Sequence, residues 1–279
     1  LIFIALGFIQ TIFQADLRYE YIVLSSFFWR VSSLLFLILA VRLNLGLAFI
    51  VISFLLAEAV RFIILYVPSR KFVDIKLPTI DVKLWIELVK KAFPIYITSL
   101  LVATIRNIDV MILTKVKGFA EVGLYLAPYR LCDMSLSLPI MLMGSVFPLM
   151  SKFYQQDLNI FRKIYQKSFD ILSVCGILLT VLVLVVGGKI IILLFGPDFV
   201  RSAPAFRILI FSSLFVYLAI GSGILLIVVG KQKANMWFYL LGASLNIMLN
   251  LILIPRLGFI GAAVSNVITM LLIISLTFY

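Results

Sequence analysis

The side chains able to do chemistry in this sequence are ionisable and polar groups set inside long apolar runs: Arg30, Glu58 with Arg61, Arg106 with Asn107 and Asp109, Arg130 with Asp133, and Arg207. A charge at the centre of a membrane helix costs roughly 2.5 to 3.5 kcal/mol on insertion scales, so each should face protein or water rather than lipid. The spacing supplies partners. Glu58 and Arg61, Arg106 and Asp109, and Arg130 and Asp133 are i,i+3 pairs that share a helix face. The helices carrying 106–109 and 130–133 are joined by a short turn near 115–121. At ~1.5 Å rise per residue, Asp109 and Arg130 lie at similar depths below that turn, as do Arg106 and Asp133, so two crossed ion pairs are geometrically open. Mutual neutralisation that only locks register competes with ligand binding at these four residues. For Glu58 and Arg61 the register role is favoured. Arg30 has no acidic residue within a helical turn, which makes it the strongest single candidate for a ligand contact. Arg207, near a span end, is expected to snorkel to the interface.

Five of these residues are Arg. The guanidinium is a planar fork that binds phosphate through two hydrogen bonds and stays charged at any physiological pH. An excess of Arg over acidic groups at membrane depth suits an anionic cargo, whereas a pump for amines would keep its excess in Asp and Glu. There is no His, and the two Cys, Cys132 and Cys175, sit in separate apolar spans, so neither a metal site nor a cofactor is expected.

The elements that must position these charges follow from composition. Residues are 64% hydrophobic and 13% charged, too little polar surface to cover a soluble globule of this length. Runs of ~20 apolar residues without period-two alternation predict an all-α, polytopic membrane helix bundle of about nine transmembrane helices. Spans are expected at 1–14, 21–41, 46–67, 92–114, 123–150, 169–188, 203–229, 234–254 and 258–279. Pro68 should end the third span. A Lys-rich segment over 68–91 then reads as a linker containing a surface amphipathic helix capped by Asp81, and 151–168 reads as a second polar segment. Ser202 should cap the helix that follows Gly196-Pro197. Domains are therefore expected at 1–67, the C-terminal part of a first transmembrane lobe, at 68–91, the linker, and at 92–279, a complete second lobe. The chain opens on Leu1 with no Met and no basic leader and is read as a fragment.

Lys and Arg number 24 against 12 Asp and Glu. With the linker on the cytoplasmic side, the inner loops hold Arg18, Arg70, Lys71, Lys76, Lys83, Lys90, Lys91, Lys152, Arg162, Lys163, Lys167, Lys231 and Lys233. The outer turns hold only Arg42, Lys115, Lys117, Lys189, Arg201 and Arg256. That bias predicts a cytoplasmic linker and C-terminus in the inner (cell) membrane. Leu45-Gly46-Leu47 and Leu257-Gly258-Phe259 open the last span of each half after a turn with one Arg, which suggests two parallel six-helix repeats with three further spans before residue 1.

The run Phe195-Gly196-Pro197-Asp198-Phe199 with Ser202-Ala203-Pro204 is similar to the C-terminal half of the polysaccharide (O-antigen type) flippases. So is Asn246-Ile247-Met248-Leu249-Asn250 running through Leu253-Ile254-Pro255-Arg256-Leu257-Gly258 to Gly261-Ala262-Ala263. Asp109-Val110-Met111-Ile112-Leu113, Val122-Gly123-Leu124-Tyr125 and Tyr129-Arg130-Leu131 resemble the same family, over essentially the whole chain from its fourth to its twelfth helix. The resemblance places the family in a superfamily shared with multidrug exporters. It implies two six-helix lobes around a central cavity, a monomer, and alternating-access translocation of an undecaprenyl-pyrophosphate-linked oligosaccharide in surface polysaccharide biosynthesis. H+ or Na+ would be the coupling ion. Arg30, Arg106, Asn107 and Arg130 would then line the cavity and hold anionic groups, with Glu58, Arg61, Asp109 and Asp133 in charge pairing or coupling. A cation-coupled multidrug exporter is the alternative. A polyprenyl-dependent membrane enzyme is disfavoured, because the longest polar segment carries only Asp74, Asp81 and Glu87 among many Lys.

Overall fold

A computed structural model of the chain describes residues 2–15, 18–70 and 81–278. The described residues are helical throughout apart from short turns: α1 (Ile2–Ala15), α2 (Tyr19–Arg42), α3 (Gly46–Ser69), α4 (Val82–Lys117), α5 (Phe119–Ser135), α6 (Ser137–Gln156), α7 (Leu158–Phe195), a 3-10 turn (Pro197–Ser202), α8 (Ala203–Val228), α9 (Gln232–Leu257) and α10 (Phe259–Phe278). Eight candidate spans lie among the described residues, with α5 and α6 together forming one of them. The chain is thus a polytopic membrane helix bundle, and α1, with 14 residues, is shorter than a crossing needs. It divides into two compact units, Leu1–Ile80 and Asp81–Tyr279.

In the first unit, α3 packs against α1 and α2. The core there is Leu6, Ile9, Phe13 and Leu65, flanked by Tyr21, Ile22, Phe62 and Tyr66. In the second unit α8 and α10 are the most buried spans. Their sequences explain this: Ser212, Ser213, Ala219, Gly221, Ser222 and Gly223 in α8, and Gly261, Ala262, Ala263 and Ser265 in α10, are small enough to admit neighbouring backbones. Their hydroxyls cost little, because a membrane helix lets Ser and Thr return a hydrogen bond to the carbonyl one turn back, as Ser265 does to Gly261 at 2.9 Å and Thr269 to Ser265 at 2.7 Å. At Gly261 an added Cβ would lie 2.5 Å from the Leu253 carbonyl oxygen. The Asn246-Asn250 motif faces the same contact: Asn246 Nδ2 donates to Thr269 Oγ1 at 3.1 Å and Asn250 Nδ2 to Asn246 Oδ1 at 3.0 Å.

The sequence expectations change in several places. Pro68 lies inside the last turn of α3, which ends one residue later at Ser69; its missing N–H forfeits the ladder bond to the Ile64 carbonyl, and the helix stops within a residue. Residues 71–80 of the linker, with Lys71, Asp74 and Lys76, lie outside the described residues. Asp81 does cap a helix, accepting from the amides of Lys83 at 2.9 Å and Leu84 at 3.2 Å. That helix is not a separate surface element. It continues through Pro94 into the span as one α4 of 36 residues, since a single Pro removes only the bond to the Lys90 carbonyl and leaves the rest of the ladder intact.

The polar segment 151–168 is also helical, broken only at Asp157, whose carboxylate caps α7 by accepting from the amides of Asn159 at 2.8 Å and Ile160 at 3.2 Å. The expected single span 123–150 is split at Leu136 into α5 and α6. Pro139 has no N–H to give the Ser135 carbonyl, and the Tyr217 hydroxyl donates to that carbonyl instead, at 2.8 Å. Ser202 does not cap α8. It is buried, and its hydroxyl has no hydrogen-bond partner.

Three turns share one end of the second unit: α4–α5 at Gly118, α7–α8 at Gly196 and α9–α10 at Gly258, each Gly having positive φ (86°, 90° and 60°). Glu121 in the first turn of α5 ties this end together. Its Oε2 accepts from the Phe259 amide at 3.2 Å, and its Oε1 lies 3.9 Å from Arg201.

Candidate functional site

Arg106 on α4 and Asp133 on α5 form an ion pair. Both helices descend from Gly118, Arg106 lying twelve residues before it and Asp133 fifteen after it, so the two differ by only ~4.5 Å in depth, which the long Arg side chain spans. The pair is partly exposed, 42% for Arg106 and 29% for Asp133, because it stands in the wall of a part-open cavity of about 240 Å³ lined by α4, α5, α6, α8, α9 and α10. Val102, Ile105, Leu136, Ile140, Leu209, Val216, Ile220 and Met270 make its apolar lining. Tyr129, Ser212, Ser213, Tyr239 and Asn266 add polar atoms. One Arg106 nitrogen is used by Asp133. The guanidinium carries five N–H donors, so donors remain for a ligand in the cavity.

Asp109 and Arg130 are not a pair. Asp109 lies one turn above Arg106 and is fully buried. Its carboxylate accepts from the Tyr125 hydroxyl and, at 2.8 Å, from the Val110 amide. Asn266 on α10 interacts with both Asp109 and Tyr125, while its Oδ1 accepts from the Ser212 hydroxyl at 2.7 Å. The amide nitrogen is thereby the end turned towards the carboxylate. The reason Arg130 is displaced is helical phase. Tyr125, Tyr129, Cys132 and Asp133 recur at three- and four-residue spacing along the face of α5 towards α4 and the cavity, and Arg130, ~100° round from Tyr129, points away. It is exposed and makes no ion pair among the described residues. Asp109 makes no ion pair among the described residues, Arg106 one turn away being paired with Asp133.

The remaining sequence candidates are placed as follows. Asn107 is exposed, and its Nδ2 donates to the Ala103 carbonyl at 2.7 Å, a bond within its own helix. Glu58, buried at 6% exposure, pairs with Arg61 at 3.3 Å inside the first unit, and the Arg61 Nε is buried without a partner. Arg30 on α2 is exposed, with no carboxylate on it among the described residues. Ser212, Ser213, Tyr239 and Asn266 were missed by sequence reasoning. Hydroxyls and amides inside apolar runs carry no charge penalty to flag them; for Ser212, Ser213 and Asn266 the one signal available was their recurrence with small residues in α8 and α10, and Tyr239 on α9 had none.

Residues 1–154 match the model of the family described as polysaccharide biosynthesis protein. The chain belongs to this family. An uncharacterized membrane protein of Methanocaldococcus jannaschii, MJ1068, is 39% identical over 79 residues, 28% of this chain and 15% of that protein. Among solved structures, the fold is similar to a mutant of the Vibrio cholerae MATE transporter VcmN, with TM-score 0.82 and 15% identity over 98% of this chain and 65% of that one. It is also similar to a MATE protein in complex with MaL6, with TM-score 0.81 and 11% identity over 99% and 66%. A third is an outward-facing multidrug resistance MATE family transporter of the MOP superfamily, with TM-score 0.76 and 12% identity over 94% and 60%. The chain spans less than two thirds of the length of each, and at these identities the likeness establishes a shared fold.

Proposed function

We propose that this family member is a transporter that carries an undecaprenyl-pyrophosphate-linked oligosaccharide across the cytoplasmic membrane by alternating access. The observation that supports this reading most is Arg106 in the cavity wall, held by Asp133 yet with free donors, among hydroxyls and amides suited to sugar or phosphate oxygens. A membrane-depth Arg is expensive, and a pair serving only to lock α4 to α5 gains nothing from lining an open cavity. The cavity volume suits one phosphate or sugar moiety of the cargo rather than all of it. Arg30 and Arg130, exposed and without carboxylate partners among the described residues, are proposed as further anion contacts during translocation, with no common site implied.

Asp109 is proposed as the coupling group. It is a buried carboxylate held by neutral donors alone, and a proton or Na+ would supply the missing positive charge. The same feature serves a cation-coupled multidrug exporter, so cargo must be tested directly. In proteoliposomes of the full-length protein, Arg106→Ala and Arg106→Lys should both lower flipping of a lipid-linked oligosaccharide by about tenfold or more, since charge-assisted hydrogen bonds are worth ~1.5 to 3 kcal/mol. Asp109→Asn should abolish ion-driven accumulation while preserving passive exchange. Wild-type liposomes that pump cationic drugs and leave the lipid-linked oligosaccharide unmoved would replace this reading with the exporter.

A further inference from the structure

A second cavity, of about 670 Å³, lies between the N-terminal ends of α4 and α9 and shares no lining residue with the first. We propose that it is a binding site for the phosphate head group of an anionic, hydroxyl-bearing membrane phospholipid. Three cations line it, Lys90, Lys91 and Lys233, against one carboxylate, Glu87. Glu87 is taken by Lys91 at 2.7 Å, which leaves Lys90 and Lys233 with no acidic partner among the described residues. Like charges held together on two packed helices repel, and an anion between them removes that repulsion. The first turn of α9 adds amide donors, because Lys231 at its N-cap gives no side-chain cap. Gln232, also in the lining, has a buried Oε1 without a hydrogen-bond partner, and a head-group hydroxyl can donate to it.

The rest of the lining argues for a lipid over a free anion. Val89, Phe93, Pro94 and Met236 form the remaining wall. Phe93 is 57% exposed, and Tyr96 and Leu100, one and two turns deeper on the same helix, are exposed as well, as are Trp237 and Leu241 beside Lys233 on α9. A phosphate held at the Lys cluster thus has apolar strips on both helices along which its acyl chains run, with an aromatic residue at head-group depth on each. A soluble phosphate would leave those strips unused.

The test uses the full-length protein purified in detergent, with phosphatidylglycerol as probe and bound lipid read by native mass spectrometry. The triple variant Lys90→Gln, Lys91→Gln, Lys233→Gln should retain phosphatidylglycerol roughly tenfold less than wild type, and Lys233→Gln alone roughly threefold less. All three side chains are exposed, so the substitutions leave the helix packing intact. Phosphatidylcholine should be retained weakly and equally by all. Equal retention of phosphatidylglycerol by wild type and triple variant overturns the proposal. So does wild-type retention of phosphatidylcholine as strong as that of phosphatidylglycerol, or displacement of the lipid by millimolar inorganic phosphate, which would mark a free-anion site.

Discussion

Replacing Tyr125 by Phe removes a hydroxyl that donates to a carboxylate buried beyond the reach of water. Asp109 is fully buried and Tyr125 equally so, and leaving a buried acceptor short of a donor costs about 1 to 3 kcal/mol. The expected outcome of Tyr125→Phe is a lower unfolding temperature in detergent, with Asn266→Ala shifting it in the same direction. An unchanged unfolding temperature for both would show that Asp109 is satisfied some other way. At this scale the sequence announced the charges and left the neutral groups silent. That Arg106 and Asp133 can meet follows from counting residues on either side of Gly118, twelve and fifteen, a difference of ~4.5 Å in depth. From that turn Asp109 is nine residues, Tyr125 seven and Arg130 twelve, so Tyr125 and Arg130 both lie at comparable depth to Asp109 and depth alone does not choose between them. The angle around the helix decides between two residues at comparable depth, and it turns Arg130 outward while Tyr125 meets Asp109. Asn266 and Ser212 come from spans whose order in the bundle no local spacing encodes.

Elements were legible wherever a run was long and uniformly apolar, and less so where polar residues continued a helix. The Lys-rich 82–91 stretch and residues 158–168 are helical for the same reason, since Asp81 and Asp157 cap them and both continue directly into long apolar helices, while 151–156 prolongs α6. The break at Leu136 escaped notice because its compensation lies far away, in the Tyr217 hydroxyl that takes up the Ser135 carbonyl. A double-mutant cycle tests this account. Tyr217→Phe should cost about 1 kcal/mol in the native background, and that cost should largely vanish with Pro139→Ala, where an amide is again available to Ser135. Additive effects would show that the break has another cause. At Gly261 even a methyl group meets backbone rather than a flexible side chain, 2.5 Å from the Leu253 oxygen. Gly261→Ala should therefore destabilise by about 1 to 3 kcal/mol, and Gly261→Leu should sharply reduce the yield of monodisperse protein. A Leu variant that folds at normal yield but loses transport alone would reassign this Gly from packing to cargo contact.

For the whole molecule, the geometry of the second unit places three turns at one end, joined through Glu121 to Phe259 and Arg201, and the turns at 156–158 and 229–231 at the other. The distribution of Lys and Arg gives that arrangement a direction, since the end bearing Lys152, Arg162, Lys163, Lys167, Lys231 and Lys233 carries more cations than the end bearing Lys115, Lys117, Lys189, Arg201 and Arg256. The Lys-rich end should be cytoplasmic. The buried Cys132 and part-buried Cys175 are replaced by Ala first, and single cysteines are then introduced at Phe119, which is 82% exposed, and at Lys163. A membrane-impermeant maleimide applied to intact cells should label Phe119→Cys and spare Lys163→Cys, and cell lysis should render the second reactive. The reverse pattern would invert the bundle. Labelling of both from outside would mean that Phe119 and Lys163 do not lie on opposite faces of the membrane, which is incompatible with α5 and α6 acting as one crossing.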